Sequence, residues 1–146
     1  MSEITEAAIA DKIKSAQDFA AEGTPSFSRR AIREAHEYAE QLGTNLSNLG
    51  YSDEVLKAIE RKGFTVGVAQ MIEKAKSAET QNWEYVFEGA LLQAREDAGE
   101  LGMTVTAVIG EKLTKEIQAA AQRLGKNVDV ILGVKPKAKP GLVPLL

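Results

Sequence analysis

The sequence predicts an all-α fold, and three observations support that prediction. Apolar residues recur at intervals of three and four along most of the chain, which is the period of an amphipathic helix. A Leu-Gly pair recurs at Gly43, Gly102 and Gly125, each time followed by polar residues that can cap a new helix. Aromatic residues make up only 5% of the chain and alanine is abundant, which suits close packing of helix on helix. We expect about six helices in antiparallel hairpins.

The first two predicted helices form one hairpin. Residues 2–22 have an apolar face at helical spacing, and Gly23 ends that helix. A second helix is expected to run to Leu42, with Ser26 or Ser28 as its N-cap. The apolar faces of these two helices contain Ile9, Ile13, Ala16, Ala20, Ala31, Ala35, Tyr38 and Leu42.

Two short helices are predicted next. Ser52 is followed by two acids, Asp53 and Glu54, as the positive end of a helix dipole favours. This third helix should bury Val55, Leu56 and Ile59 and end at Gly63, where a looser copy of the glycine turn occurs. A fourth helix should then start at Thr65.

The central helix is expected over residues 83–101, from Trp83 to Leu101, where the apolar stripe is longest. Two glycines inside it, Gly89 and Gly99, suggest that another backbone packs closely there, because each costs about 1 kcal/mol relative to alanine. A sixth helix is predicted over residues 104–124, with a bend at Gly110. Residues 127–132 fit either one more helical turn or a short strand.

The chain is predicted to be one helical domain, residues 1–133, followed by an extended C-terminal arm, residues 134–146. Three prolines in the arm, spaced four apart, exclude a helix and favour an extended path. Such a segment is either a disordered terminus or an arm that lies in a groove on a partner. The candidate partner-binding residues of the arm are Lys135, Lys137, Lys139, Leu142, Val143, Leu145 and Leu146.

Charge is unevenly distributed along the chain. Residues 111–146 carry seven Lys or Arg against three Asp or Glu, whereas the first 110 residues carry eleven against eighteen. This acidic body with a basic end is not typical of a nucleic-acid-binding protein and favours contact between the arm and the body. Residues 1–6 lack the basic and apolar regions of a signal peptide, and no apolar run is long enough to cross a membrane. We therefore expect a cytoplasmic protein without a membrane partner.

Catalytic and metal-binding patterns are weak in this sequence. The single histidine, His36, stands four residues before Glu40, a spacing that can bind a metal but that is more typical of a solvated helix face. The chain has no cysteine, no set of residues resembling a Ser-His-Asp triad and no phosphate-binding glycine loop. We therefore predict no enzyme activity, no cofactor and no metal. The acids of the central helix are expected to form an exposed face: Glu84, Glu88, Glu96, Asp97 and Glu100.

Two short stretches resemble known families. Residues 49–65, with Gln70, resemble the Q motif of DEAD-box RNA helicases, although Gly67 and Val68 replace the Pro-Thr pair of that motif. Residues 101–117 resemble the two-helix part of a ribbon–helix–helix repressor, but lack the basic strand that precedes it. The sequence has no nucleotide-phosphate loop to accompany the first resemblance, and the second carries over no DNA-reading residues, so we assign the chain to no family.

The preferred function is a non-catalytic helical adaptor or assembly protein that binds copies of itself or a larger complex, such as a phage virion or connector. A small DNA-binding regulator is the first alternative, with a helix-turn-helix around Gly102 or Gly63. However, Lys112 and Lys115 are the only cations early in the helix after Gly102. The second alternative is a ligand binder or enzyme with a pocket near Trp83, Tyr85 and His36.

Overall fold

The computed structural model of the protein describes residues 4–134, and within them it confirms the all-α fold. The described part of the chain forms seven helices and no strand. In chain order the helices are α1 (Glu6–Ala21), α2 (Pro25–Gln41), α3 (Asp53–Thr80), α4 (Glu84–Glu100), α5 (Val105–Ile109), α6 (Glu111–Arg123) and α7 (Asp129–Leu132).

The three Leu-Gly pairs end helices as predicted. Gly43, Gly102 and Gly125 have φ values of 72°, 69° and 70°, which a residue with a Cβ rarely adopts. At each of them the glycine N–H and the next N–H donate back to carbonyls of the last helical turn, as Thr44 does to Ala39 O at 3.0 Å. This arrangement satisfies orphan carbonyls at the helix end and turns the chain sharply.

The turn predicted at Gly63 does not exist. The expected third and fourth helices are one helix, α3, which continues through Gly63 and Thr65 for 28 residues. The reason is visible in the packing, because Gly63 is buried inside the helix and lies against the turn between α1 and α2. A glycine is required at position 63 because the backbone of the α1–α2 turn approaches α3 closely there, and not because the chain changes direction.

Gly63 and Gly67 form a notch on α3 that receives the α1–α2 turn. A Cβ at Gly63 would lie 3.3 Å from Pro25 Cα and 3.4 Å from Ala20 Cα, both backbone atoms that cannot rotate away. A Cβ at Gly67 would lie 3.4 Å from the carbonyl oxygen of Gly23. The turn is therefore seated directly on the backbone of α3.

Side-chain hydrogen bonds hold the same turn. Gln70 of α3 donates from Nε2 to the carbonyl oxygen of Glu22 at 2.6 Å. Ser28, which is fully buried, donates from Oγ to the carbonyl oxygen of Ala16 at 2.9 Å and so ties α2 to α1. The prediction that Ser26 or Ser28 is the N-cap of α2 is therefore wrong. The N-cap position of α2 is Thr24, with Pro25 at the first helical position.

Two hydrophobic cores lie on either side of the notch, and α3 contributes to both. The first contains α1, α2 and the N-terminal half of α3, including Leu56 and Ile59. The second contains the C-terminal half of α3, with Val68 and Ile72, packed against α4 to α7. Helix α4 is buried in the second core through five of the residues predicted for it: Phe87, Ala90, Leu91, Ala94 and Ala98. Leu101, the C-cap of α4, is also buried.

Several smaller predictions are corrected by the structure. Among the described residues, nothing lies within 4 Å of a Cβ built at Gly89 or Gly99, so no described backbone packs there. Trp83 and Val55, expected in the core, are 53% and 43% exposed. Of the two alternatives for residues 127–132, the helical one is confirmed by α7. No helix within residues 4–134 combines the length and the apolar content that crossing a membrane requires.

The notch predicts a difference between two glycine-to-alanine substitutions. Gly99→Ala should raise the free energy of unfolding by about 1 kcal/mol, since it improves helix propensity at an open site. Gly63→Ala gains the same propensity but crowds two backbone atoms, an effect that typically costs about 1–3 kcal/mol. We therefore expect urea unfolding to show Gly63→Ala less stable than Gly99→Ala by that amount. Equal stabilisation by both alanines would mean that the notch does not exist.

Candidate functional site

A cleft opens where α2, α3 and α4 meet, and it encloses about 860 Å³. It follows α3 from Asp53 to Met71 and reaches Gln93 and Asp97 of α4. The two ends on α3 are 18 positions apart, a distance of about 27 Å along a helix. About eight residues of extended chain have the same length. The apolar residues of its lining include Pro25, Phe27, Ile32, Leu56, Phe64 and Met71.

Arg29 holds the three helices of the cleft together. Its Nε donates to Glu60 Oε1 of α3 at 2.9 Å, and its Nη2 donates to Glu100 Oε2 of α4 at 2.8 Å. The guanidinium carbon lies 4.8 Å from the centre of the Phe64 ring. Because the Arg29 side chain is 47% exposed, each contact alone contributes little. One rigid guanidinium that bridges two carboxylates nevertheless fixes α2 against both other helices.

Asp97 is the buried acid of the cleft. Only 8% of its surface is exposed, and its Oδ2 lies 3.0 Å from the position of a Cβ at Gly67, so the notch makes room for it. Gln93 Nε2 donates to its Oδ1 at 3.2 Å. None of the ion pairs formed by residues 4–134 involves Asp97. Its carboxylate therefore has capacity for a further donor.

Burial raises the pKa of Asp97 above its ordinary value. The hydrogen bond from Gln93 acts in the opposite direction, and the neighbouring charges of Glu96 and Glu100 add to the increase. The physical cause is that a carboxylate loses hydration inside the protein without gaining a cation in return. A carboxyl group in this situation is a candidate binding group for a cationic ligand.

The opposite end of the cleft carries positive side chains. Arg33 of α2 and Lys57 of α3 line it, and His36 and Asp53 stand beside them. Lys57 and Gly67, which touches Asp97, are ten positions apart on α3, or about 15 Å. The cleft thus has an acidic end at Asp97 and a mainly basic end at the start of α3, with apolar residues between them.

A second candidate surface lies on the outer face of α4, and we define it by five residues as the α4 patch: Trp83, Tyr85, Val86, Gly89 and Leu92. Tyr85 is 91% exposed, Leu92 is 43% exposed, and Gly89 lies between them on the same helix face. The turn before α4 bounds a shallow recess of about 600 Å³ lined by residues 82–86. Glu84 and Glu88 border the patch and pair with Lys126, so the apolar surface has a polar rim.

The structure does not bring together the residues of the predicted ligand pocket. Trp83 and Tyr85 belong to the α4 patch, whereas His36 lines the cleft between α2 and α3. The predicted pocket that combined them is therefore wrong. Both His36 and Glu40 are exposed on α2. Within residues 4–134, no group of three or more potential ligand side chains is placed to hold a metal ion.

Only one of the two positions proposed for a helix-turn-helix has a turn. A helix-turn-helix cannot exist at Gly63, because α3 is continuous there. A turn does exist at Gly102, but the helix that follows, α5, has only five residues and ends at Gly110. Lys112 and Lys115 stand on the next helix, α6, where Lys115 pairs with Glu111 at 3.0 Å.

The sequence predicts an exposed acidic face on α4. Glu84, Glu96 and Glu100 are exposed and Glu88 is half-buried. The prediction is wrong for Asp97, which is buried because it faces the notch on α3. Its position was a usable signal, since Asp97 follows Ala94 by three residues and Ala90 by seven, on the buried stripe. The charge of Asp97 predicts exposure and its helical spacing predicts burial, and the structure agrees with the spacing.

The predicted partner-binding residues from Lys135 to Leu146 lie outside the described residues. The last described residue, Val134, follows Gly133, which packs against Thr104 at the start of α5. Thr104 comes shortly after the end of α4, so the last described residues lie near the end of α4 that carries Asp97 and Glu100.

No protein-family model matches this chain, and comparisons with curated proteins and with solved structures found no match either. Function must therefore be inferred from the cleft and the α4 patch themselves.

Replacing Arg29 tests how the cleft is held. Arg29→Met keeps the apolar stem but leaves Glu60 and Glu100 without their shared cation. We expect the free energy of unfolding to fall by about 1 kcal/mol at low salt, and by less in 1 M NaCl, where screening weakens such pairs.

The matched control is Arg30→Met on the same helix. Arg30 is 68% exposed, and its contact with Glu34 is longer, at 3.7 Å. Its replacement should change the stability by less than about 0.5 kcal/mol. If Arg29→Met and Arg30→Met are indistinguishable in urea unfolding, the Arg29 bridge does not stabilise the cleft.

Proposed function

We propose that this chain is a non-catalytic, cytoplasmic assembly protein that binds a second copy of itself through the α4 patch. The observation that supports the proposal most strongly is the exposure of Tyr85 and Leu92 on one side of a helix whose other side is buried, with Trp83 also exposed at the N-cap of that helix. Exposed aromatic residues in one contiguous apolar area are typical of protein interfaces. A larger particle built from such copies, for example a phage virion or connector, is one form that the assembly can take.

Gly89 favours a helical partner. It lies between Tyr85 and Leu92 on α4, and none of residues 4–134 occupies the space in front of it. A glycine at such a position lets a second backbone come close, while the larger side chains on either side supply the apolar contact. In a twofold dimer the same surface serves both copies, so α4 would pack on α4 of the partner.

The rim of the α4 patch supports a defined contact over unspecific adhesion. Glu84 and Glu88 are joined to Lys126 of the α6–α7 connection, at 4.0 Å and 3.2 Å. Acidic and basic groups at the border limit the apolar area to the first three turns of α4, and Glu96 ends it on the same face. An interface with an apolar centre and a charged rim is the usual arrangement.

The proposal predicts that Tyr85→Ser disperses the assembly without unfolding the chain. Tyr85 is 91% exposed, so its loss should change the free energy of unfolding of the monomer by less than about 0.5 kcal/mol. A central aromatic residue of an interface often contributes about 2 kcal/mol or more to binding, which corresponds to a dissociation constant raised roughly 30-fold. Light scattering coupled to size exclusion, over a range of concentrations, measures this change.

The matched control is Val130→Ser, which removes another apolar side chain that is 86% exposed but lies on α7, outside the patch. It should leave the molecular mass unchanged. The proposal fails if the parent chain is monomeric at all concentrations. It also fails if Tyr85→Ser and Val130→Ser have the same mass as the parent.

A further inference from the structure

We infer that the cleft between α2, α3 and α4 is a binding site for residues 135–146 of the same chain, with a lysine of that segment on the carboxylate of Asp97. The cleft combines a nine-tenths buried acid that has no cation among the described residues with a long apolar lining. The segment combines three lysines with four apolar residues of the Leu and Val type. The ligand class of the cleft is thus an extended peptide that is basic at one end and apolar at the other.

Charge selects the end of the cleft at which the lysines bind. The carboxylates of Glu60 and Glu100 already accept hydrogen bonds from Arg29. The Oδ2 of Asp97, which faces the notch at Gly67, accepts no hydrogen bond from the described residues and remains free for a lysine. A primary ammonium group has three donors and can bind this oxygen while its other hydrogens stay hydrated. Lys135, Lys137 or Lys139 can supply that group.

The apolar part of the segment matches the middle of the cleft. Phe27 is 52% exposed there, and its ring packs against that of Phe19 in a tilted arrangement, with ring centres 5.4 Å apart. Phe64 and Met71 complete an apolar wall on α3. Leu142 and Val143 follow the last lysine by three and four residues, so these apolar side chains can reach the wall while a lysine remains at Asp97.

The connection is long enough for binding within one chain. The described chain ends at Val134, near Thr104 and the C-terminal end of α4, and Asp97 lies in the last turns of that helix. Twelve residues extend to about 40 Å, well beyond the length of the cleft. Attachment to the same chain gives the segment a high effective concentration, which favours its own cleft over that of a second copy.

The absence of cysteine from the sequence allows a direct test on the full chain. Ala138→Cys introduces a single thiol between the lysines, to which a nitroxide spin label is attached. We expect the label to broaden the amide resonances of Gly67, Met71 and Gln93 selectively, relative to those of the α4 patch. A uniformly ¹⁵N-labelled chain carrying the label would report this in one spectrum.

Two variants test the chemistry of the contact. Asp97→Asn, nearly the same shape but neutral, should lower the docking equilibrium by about tenfold and so reduce the broadening. Replacing Lys135, Lys137 and Lys139 by glutamine should do the same. Combining these changes with Asp97→Asn should reduce the broadening little further, because both remove the same lysine–carboxylate interaction. The matched control is Asp11→Asn, at an exposed aspartate of α1, which should leave the broadening unchanged.

A mixing experiment identifies the source of the segment. Spin-labelled chain without ¹⁵N is added to ¹⁵N-labelled chain without the spin label. Binding within one chain predicts no cleft broadening in this mixture. Broadening in the mixture overturns the proposal, as does the absence of cleft broadening in the chain that carries both the spin label and ¹⁵N. Equal broadening in Asp97→Asn and Asp11→Asn overturns it as well. Docking in the cleft is independent of the α4 patch, so Tyr85→Ser should leave the broadening unchanged and the two proposals can fail separately.

Discussion

The arrangement of this protein depends on the contact between the α1–α2 turn and the glycine notch of α3. Gly63 and Gly67 allow the backbone of the turn to approach α3 more closely than any side chain would permit. That contact fixes where α2 begins, and so places Arg29 within reach of Glu60 on α3 and Glu100 on α4. The cleft is the space that remains between helices held at this distance, and the notch also accommodates the buried carboxyl of Asp97.

Most of the fold could be predicted from helical period and from the Leu-Gly turns, because both express local physics. A leucine before the glycine and polar residues after it accompany true helix ends at Gly43, Gly102 and Gly125. At Gly63 a lysine precedes the glycine and an aromatic residue follows it, and the helix continues. Glycine can serve a turn or a close contact, and only the flanking residues distinguish these uses. What packs against the notch is a long-range property that local pattern does not contain.

The candidate sites were less predictable than the fold. Asp97 shares the buried stripe of α4, but its charge led to a prediction of exposure, since burial of an acid depends on a space made by a distant glycine. Trp83 shows the opposite error, because an aromatic residue at helical spacing was assigned to the core although the turn before α4 leaves it at the surface. The two surfaces have different proposed ligands. The cleft is proposed to bind the basic and apolar segment of residues 135–146, and the α4 patch is proposed to bind a second copy of the chain.

Amide hydrogen exchange of residues 63–67 in the full chain tests the continuity of α3 most directly. A continuous helix seated under the α1–α2 turn predicts slow exchange at these amides, equal to that of residues 56–62 and 68–75 on either side, because all are hydrogen-bonded within one continuous helix. Fast exchange at residues 63–67 between two protected stretches would indicate a turn between two short helices. That result would contradict the notch and, with it, the cleft.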